Sequence, residues 1–365
     1  MDRTVEGMVV RRMLLIMFTE APTTDDRARL PVAGADGLGR ALRDLRLSVT
    51  DRCNFRCGYC MPKEVFGRDH AFQPKSELLS FEEMERLARI FVGLGVEKIR
   101  VTGGEPLLKR DLPVLIGKLA ALKGLKDLAM TTNGSALAVM AKPLFEAGLK
   151  RVTVSVDALD DSVFRRMNDV DFPVNRVLKG IDAALEAGFG PVKINMVVKR
   201  GVNEDQMVPM ARHFAGPQYV LRFIEYMDVG ATNGWRLDDV VTAKEIVRRL
   251  SGEMDLLPVA ANYVGEVARR FRCAVSDTEI GVIASVTQPF CRGCTRARVA
   301  ADGEFFTCLF GAKGHDLRAL LRGGLSDERV ADAIRAVWGA RDDRYSEVRS
   351  EGAGMPRAEM SKLGG

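Results

Sequence analysis

The stretch SVTDRCNFRCGYCMP, Ser48 to Pro62, places three of the chain's seven cysteines within eight residues. It begins at the end of a short alternating run, LRLSV at residues 45–49, whose period of two is typical of a β-strand. Cys53, Cys57 and Cys60, here named the first triplet, therefore follow a predicted strand in a loop. Such clustered thiols indicate a metal or iron–sulfur centre, because thiolate sulfur is a soft ligand.

From residue 45 onward, short strand-like runs alternate with helical runs. In the first helical run, Ser80 and Glu83 have the spacing of a capping box. Six strands separated by helices predict a parallel sheet of right-handed βαβ units, too few for a closed eight-stranded barrel. We therefore predict an α/β fold, a partial, three-quarter parallel (βα)6 barrel. The predicted strands are LRLSV, KIRVTGG, LAMTTNG, RVTVSVD, KINMVV and YVLRFIEYM, at residues 45–49, 98–104, 128–134, 151–157, 193–198 and 219–227.

Unusual residues follow or end several of these strands. GGEP at 103–106 follows the second strand, TTNG at 131–134 ends the third, and Ser155 and Asp157 come late in the fourth. Ligands of parallel sheets bind at the carboxyl ends of the strands. The sequence therefore predicts one binding site at this edge, shared with the first triplet.

A second triplet, Cys291, Cys294 and Cys308, lies beyond Gly230, where the strand–helix alternation weakens. We expect a smaller C-terminal domain there that carries a second cluster. At the other end, two arginines precede an apolar run that is too short for an export signal, so we expect a disordered extension. The predicted organisation is an extension over 1–37, the barrel over 38–230 and the C-terminal domain over 231–365.

Composition limits the possible classes of protein. The 365 residues are 47% hydrophobic, which is enough to bury a full core, and no run approaches the roughly 18 apolar residues of a membrane span. The net charge of +5 is spread along the chain and does not favour a nucleic-acid partner. Six of the seven cysteines fall in the two triplets, which favours the reducing cytoplasm over a secreted disulfide scaffold.

The two triplets fit iron–sulfur clusters better than zinc. A structural zinc needs four ligands, and none of the three histidines has a metal-ligand spacing from either triplet. A distant cysteine, Cys273, could complete a zinc site at only one triplet, and we expect it to be a plain thiol. A four-iron cluster held by three cysteines leaves one iron open to another ligand. We therefore predict two [4Fe-4S] clusters, with zinc as the weaker alternative.

The C-x3-C-x2-C loop after the first strand of a partial barrel resembles the radical S-adenosylmethionine (SAM) enzymes. In that family SAM chelates the open iron, and an electron from the reduced cluster cleaves it to methionine and a 5′-deoxyadenosyl radical. GGEP resembles the family's second signature, whose glycines let backbone approach a ligand closely. The resemblance implies that SAM contacts Tyr59, Gly104, Ser155 and Met227, although Met227 fits a core position equally well.

The second triplet, C-x2-C-x13-C with CRGCTRARV around its first half, is similar to that of the GTP 3′,8-cyclases of molybdenum cofactor biosynthesis. The resemblance runs from about Leu38 to Gly365 and includes SVDAL, KINMVVKRGVN, RFIEYMDVG and a terminal GG. It implies a lyase that converts GTP to (8S)-3′,8-cyclo-7,8-dihydroguanosine 5′-triphosphate. The radical would take hydrogen from ribose C3′, and guanine would bind the open iron of the second cluster.

Cations in the strands fit a triphosphate, because the planar fork of arginine matches phosphate. Arg100 lies two positions from Thr102, and Lys193 two from Asn195, so we expect each pair to share a face lining the barrel lumen. An unpaired cation there is costly unless an anion binds. The resemblance implies GTP-binding positions and a catalytic role for Arg46 and the two final glycines. The GTP-binding positions are Arg46, Arg100, Thr131, Lys193, Arg296, Ala297 and Arg298, and the catalytic residues are Arg46, Gly364 and Gly365. Thr131 fits an ordinary strand position equally well.

The resemblance also implies partners: an electron donor such as flavodoxin or ferredoxin, a downstream cyclic pyranopterin monophosphate synthase, and in some members a homodimer. Two other functions stay open. A radical SAM peptide-modifying enzyme also carries auxiliary clusters, but usually has more C-terminal cysteines than this chain. A non-enzymatic metal-binding or RNA-binding regulator predicts zinc and no SAM turnover, and the chain lacks a basic face with interleaved aromatics.

Overall fold

The computed structural model of the chain describes residues 34–263, 265–349 and 357–364. Most of the predicted disordered extension, 1–37, lies outside these ranges. Asp36 lies inside them and is buried, so the expected disorder does not reach this residue. The strands in the described ranges are β1 (Asp44–Ser48), β2 (Lys98–Thr102), β3 (Asp127–Thr132), β4 (Arg151–Ser155), β5 (Val192–Val198), β6 (Tyr219–Glu225), β7 (Leu256–Val259), β8 (Ala268–Cys273), β9 (Glu279–Ile283), β10 (Arg296–Val299), β11 (Glu304–Phe306) and β12 (His315–Asp316).

Helices connect the strands and pack their apolar faces against them. The predicted capping box is present: the Ser80 hydroxyl accepts from the Glu83 N–H, and the Glu83 carboxylate accepts from the Ser80 N–H. That helix buries Met84, Leu87 and Phe91, whose spacing places them on one face. The helices in the described ranges are α1 (Phe81–Gly93), α2 (Leu112–Ala120), α3 (Leu137–Glu146), α4 (Asp161–Asn168), α5 (Val174–Glu186), α6 (Met207–His213), α7 (Ala243–Ser251), α8 (Leu317–Arg322), α9 (Asp327–Gly339) and α10 (Met360–Leu363), with short 3-10 turns at Lys75–Glu77, Pro106–Leu108, Glu204–Gln206 and Leu237–Asp239.

Strands β1 to β6 lie side by side in chain order, each parallel to the next. This arrangement confirms the predicted α/β fold and the six predicted strands. In the described ranges β1 and β6 do not pair with each other, so the six strands do not close on themselves. No helix in these ranges is long and apolar enough to cross a membrane.

The C-terminal part of the chain extends both edges of this sheet. Strand β10 lies parallel to β1, and β9 lies parallel to β6. Antiparallel strands follow outward on each side, β11 and β12 beyond β10, and β8 and β7 beyond β9. The prediction of a smaller C-terminal domain did not foresee this arrangement, in which both open edges gain hydrogen-bonded partners. The boundaries at residues 38 and 231 stay predictions.

Glu225, the last residue of β6, joins three segments of the chain. Its buried carboxylate accepts hydrogen bonds from the N–H of Ala243 at 2.5 Å and from the N–H of Val286 at 2.7 Å. It also accepts from the N–H of Thr287 at 2.9 Å and from the Thr287 hydroxyl at 2.5 Å. Four donors satisfy the buried carboxylate, which therefore fixes the end of β6 to α7 and to the segment after β9.

We expect Glu225→Gln to lower the free energy of unfolding by about 1–3 kcal/mol, because the new amide nitrogen would face backbone donors and leave one unpaired. Denaturant unfolding of the two proteins measures the difference. Glu186→Gln, at the exposed end of α5, is the matched control. Equal effects of the two substitutions would contradict the role given to Glu225.

Candidate active site

Two adjoining cavities occur in the described part of the chain, and each is lined by one cysteine triplet. Among the described residues, no three metal-ligating side chains come close enough to hold a single metal ion. The thiols instead surround the two cavities. Side chains from β3, β5 and β6 and from the C-terminal tail border both spaces, so the cavities form one continuous site. The residues that line both are Thr131, Asn195, Ile224, Met227 and Met360.

The first cavity contains all the residues predicted to contact SAM. Tyr59, Gly104, Ser155 and Met227 line it together with the first triplet. They come from the loop after β1, the loop after β2, the end of β4 and the segment after β6. The parallel strands therefore bring these predicted residues to the same edge of the sheet, as their positions in the sequence indicated.

The thiols of the first triplet lie in an apolar environment. Burial raises the pKa of Cys53 to about 11 and that of Cys60 to about 12, and it raises the pKa of Cys57 well above its usual range. Without a bound metal these groups are neutral at physiological pH. Metal binding would therefore release protons, because thiols coordinate as thiolates. Three half-buried thiols around one cavity fit a [4Fe-4S] cluster with three cysteine ligands.

The predicted adenine contact, Tyr59, is fixed by a buried carboxylate. Its hydroxyl donates to Oδ2 of Asp157 at 2.8 Å, and Oδ1 of Asp157 accepts from the N–H of Val197 at 2.9 Å. Burial raises the pKa of Asp157 to about 6. Sequence reasoning noted Asp157 at this edge of the sheet but not its hydrogen bond to Tyr59. Asp157 therefore holds the Tyr59 ring against the cavity.

The GGEP turn supports the loop that carries the first triplet. The N–H of Gly104 donates to the carbonyl of Thr50 at 2.8 Å, and a Cβ at Gly104 would overlap the backbone of Arg52. Glu105 is buried, and its carboxylate accepts from the hydroxyl of Thr132 at 2.6 Å and from the N–H of Asn133 at 2.7 Å. Burial raises the pKa of Glu105 to about 7. The turn therefore joins the ends of β2 and β3 to the triplet loop.

The second cavity contains most of the residues predicted to bind GTP. Arg46, Arg100, Thr131, Arg296 and Arg298 line it together with the second triplet. The segments that contribute them are β1, β2, β3 and β10, which lie next to one another in the sheet.

Two predicted GTP-binding residues do not line this cavity. Ala297 lies between Arg296 and Arg298 in β10, and its side chain is buried in the apolar core. Successive side chains of a strand point to opposite faces, so Ala297 offers the cavity no side chain. Lys193 lies at the start of β5, on the same strand face as Asn195, which does line the cavity. Burial lowers the pKa of Lys193 to about 7, and the charges of Arg222, Arg151 and Arg100 lower it further. Because Arg222 and Arg100 line the cavity, Lys193 stays a candidate for contact with a bound phosphate.

Three arginines, of which Arg298 is buried and the other two are half-buried, occupy neighbouring positions of adjacent strands. Arg298 of β10 pairs in register with Arg46 of β1, and Arg46 pairs with Arg100 of β2. We name these three residues the arginine row. Burial lowers the pKa of Arg100 and of Arg298 to about 10. The pKa of Arg46 lies well below its usual range, mainly because of burial and also because of the two neighbouring guanidinium groups. Like charges at such positions repel each other, so the row favours an anionic ligand.

Hydroxyl groups orient one end of the arginine row. Nη1 of Arg100 donates to the hydroxyls of Thr131 and Thr153, both at 3.0 Å. Arg222 also lines the second cavity, 3.6 Å from the carboxylate of Glu266. Arg222 is not among the predicted site residues, because nothing in the local sequence separates it from an exposed arginine.

The C-terminal tail reaches into the sheet. Gly364 has φ +73°, in the region that favours glycine, and its carbonyl accepts from Nη1 of Arg298 at 2.7 Å. A Cβ at Gly364 would overlap the hydroxyl of Thr102. Gly365, the other predicted catalytic glycine, lies outside the described residues. Met360 in α10 lines both cavities, and no pattern in the sequence marked it.

The second triplet has a more polar environment than the first. Burial alone would raise the pKa of Cys294, but the charges of Arg296 and Arg341 lower it to about 6. Arg296 also donates a hydrogen bond to Sγ of Cys294 at 3.5 Å. Burial raises the pKa of Cys308 to about 12. Sγ of Cys291 lies 2.7 Å from the hydroxyl of Ser346. A thiolate at Cys294, with Arg296, Arg341 and Ser346 as polar neighbours of the triplet, fits a thiolate-ligated cluster.

We expect Gly104→Ala to destabilise the chain by about 1–3 kcal/mol, because the added methyl group must displace the backbone of Arg52. The displacement should also reduce iron binding by the first triplet. The matched control is Gly58→Ala, within the triplet loop, where an added Cβ meets no atom within 4 Å. Thermal unfolding and iron analysis of both variants check this expectation, and identical behaviour would contradict it.

Comparison with known proteins identifies two families along the chain. Residues 47–214 match the Radical SAM superfamily, and residues 219–347 match Molybdenum Cofactor Synthesis C. SuiB of Streptococcus suis, solved with bound S-adenosylmethionine, superposes with a TM-score of 0.58 at 17% identity, over 85% of this chain and 68% of SuiB. This likeness supports the fold alone.

Relatives named GTP 3′,8-cyclase align over most of the chain. The protein of Acidothermus cellulolyticus is 54% identical over 319 residues, which cover 86% of this chain and 88% of the relative. That of Xanthomonas axonopodis pv. citri is 52% identical over 334 residues, covering 90% and 98%. That of Staphylococcus aureus is 48% identical over 316 residues, covering 86% and 93%. The chain therefore belongs to the GTP 3′,8-cyclase family of radical SAM enzymes.

Proposed function

We propose that this protein is a radical SAM lyase that converts GTP to (8S)-3′,8-cyclo-7,8-dihydroguanosine 5′-triphosphate, the first step of molybdenum cofactor biosynthesis. One observation carries the proposal: a cavity with the first triplet and the predicted SAM contacts adjoins a cavity with the second triplet and the arginine row. The names of the relatives support the same reaction.

In this proposal the first triplet holds one [4Fe-4S] cluster, the second triplet holds another, and SAM occupies the first cavity beside Tyr59 and Gly104. When bound, SAM and its reduced cluster supply a 5′-deoxyadenosyl radical that abstracts hydrogen from the substrate. The chain's own contribution is enclosure and position. Side chains on β3, β5 and β6 border both cavities, and Met360 of the tail borders them too. With SAM and substrate bound, these side chains would help to exclude water, which protects reactive species from side reactions.

The cations of the second cavity would bind the triphosphate. Arg100 is held by two threonine hydroxyls, so its guanidinium group is oriented before substrate arrives. Arg46 lies between two other arginines of the row, where a phosphate would relieve their repulsion. We assign Arg46, Gly364 and Gly365 to catalysis, and Ala297 contributes at most its backbone.

The remaining partners follow from this reaction. We propose a one-electron donor such as flavodoxin or ferredoxin, a downstream cyclic pyranopterin monophosphate synthase as consumer of the product, and a cytoplasmic location. Homodimer formation stays a prediction. A peptide-modifying activity is not adopted, since relatives that align over most of the chain at about 50% identity are named GTP 3′,8-cyclase. A regulator without enzymatic activity is not adopted, because the chain matches the Radical SAM superfamily through its first triplet.

Anaerobic reconstitution followed by incubation with SAM, a reductant and each nucleoside triphosphate tests the proposal. We expect about eight irons per chain, as two cubanes, and cyclised product from GTP alone. Replacing the first triplet with alanine should halve the iron and abolish SAM cleavage. Replacing the second triplet should leave slow SAM cleavage without cyclised nucleotide. Tight zinc with no iron or sulfide would overturn the proposal.

The pH dependence of GTP binding provides a separate test. Burial, and then the nearby charge of Arg222, lowers the pKa of Lys193 from 10.5 to about 7. As the pH falls through this interval the unfolded chain takes up a proton that the folded chain does not, so the fold loses stability. A bound triphosphate favours the charged amine, so binding near pH 8 should take up a proton. Calorimetric titrations in buffers of different ionisation enthalpy measure this uptake.

We expect Lys193→Met to reduce that proton uptake and to weaken GTP binding by about 1.5–3 kcal/mol, the range for a charged hydrogen bond. Lys179→Met, on the exposed face of α5, should change neither quantity. Unchanged uptake in the Lys193 variant would show that this lysine does not meet the phosphates.

A further inference from the structure

A buried charged network lies beside the second triplet and joins the start of the described chain to its C-terminal part. Nε of Arg40 donates to Oδ2 of Asp36 at 2.6 Å, and Nη1 of Arg341 donates to the same oxygen at 3.2 Å. The exposed fractions of Asp36, Arg40 and Arg341 are 6%, 3% and 4%. We name these three residues the Asp36 clamp.

The clamp binds the backbone of two cysteines of the second triplet. Nη1 of Arg40 donates to the carbonyl of Cys291 at 2.9 Å and to that of Asp343 at 2.8 Å. Nη1 of Arg341 donates to the carbonyl of Cys294 at 2.8 Å. The clamp therefore reaches both cysteines that precede β10 and the segment 341–343 that packs against them.

An aromatic side chain fixes the clamp in turn. Nε1 of Trp338, in α9, donates to the carbonyl of Arg40 at 3.1 Å, and the guanidinium group of Arg341 lies 4.5 Å from the centre of the Trp338 ring. Trp338 is 2% exposed. The geometry of both arginines is therefore set by packing as well as by Asp36.

The charge of the clamp is not balanced within it. Two guanidinium groups share the buried carboxylate of Asp36. The carboxylate of Asp343 lies 3.4 Å from Nε of Arg341, but its side chain is 29% exposed, so solvent screens its charge. Nη2 of Arg40 is buried without a hydrogen-bond partner among the described residues. Burying ions costs several kcal/mol each in order of magnitude, so such a network is weak support for stability alone. A cluster ligated by thiolates is anionic, and a buried cationic network beside it offsets that charge.

We propose that Asp36, Arg40 and Arg341 are positioning residues for the second cluster, which hold the backbone of Cys291 and Cys294 ready to bind it and offset its negative charge. The proposal rests on the proposed second cluster. It gives a role to the segment that contains Asp36 and Arg40, which lies outside both family matches, 47–214 and 219–347.

The test compares Arg40→Met with Arg43→Met. Arg43 lies three residues further along the same segment and is exposed, so it is the matched control. Each substitution is made in the full chain and in the chain whose first triplet is replaced with alanine. In the second background, all cluster iron and sulfide belong to the second triplet. The readouts are iron and sulfide content, the rate of iron release to a chelator, and the electron paramagnetic resonance spectrum of the reduced cluster.

In the background without the first triplet, we expect Arg40→Met to lose most cluster iron, or to release it at least about tenfold faster than Arg43→Met. In the full chain, Arg40→Met should keep the first cluster and cleave SAM within about twofold of Arg43→Met, which shows that the barrel is folded. Arg40→Lys, which keeps the charge but not the planar fork, should release iron at an intermediate rate.

Two results would overturn the inference alone: equal iron retention by Arg40→Met and Arg43→Met, or equal loss of both clusters in Arg40→Met, which would make the clamp a general structural element. A parent chain without the first triplet that binds no iron at all would instead overturn the proposed second cluster, and the inference with it.

Discussion

The parallel pairing of β10 with β1 determines the chemistry of the site. It sets Arg298 beside Arg46, which already pairs with Arg100, and so places three buried or half-buried arginines side by side. The same pairing brings the second triplet to the edge of the barrel, because Cys291 and Cys294 lie just before β10 and Cys308 lies after it. The three like charges repel one another in the empty protein, which is unfavourable. A bound anion attracts all three and so offsets their repulsion. Substrate charge and fold are therefore linked through one strand pair.

Much of the central sheet could be predicted, because its signals are local. Alternation with a period of two marked the first central strand, and short strand-like runs between helical runs marked the other five. Ser80 with Glu83 marked the start of α1. The shared edge of the site followed from the rule that parallel strands present their carboxyl ends together. The pairing of β9 and β10 with the two edges left no such signal, since β1 and β10 lie about 250 residues apart and pairing over that distance depends on the folded sheet.

The residues of the site divide in the same way. Cysteine spacing and GGEP marked both triplets and the SAM cavity in the sequence. Ala297 entered the predicted set because it stands within the motif, yet strand alternation turns its side chain into the core. The Asp36 clamp and Met360 could not be predicted, because an ordinary aspartate, two arginines and a methionine acquire their positions only through contacts between distant segments.

The central claim is that the cations lining the second cavity recognise the substrate by its phosphates. Calorimetric titration of the reconstituted protein with GTP, GDP, GMP and guanosine, repeated with Arg100→Met, tests it most directly. The account predicts that affinity falls as phosphates are removed, and that Arg100→Met weakens GTP binding while leaving guanosine binding unchanged. Equal affinity of the unsubstituted protein for GTP and guanosine would contradict it.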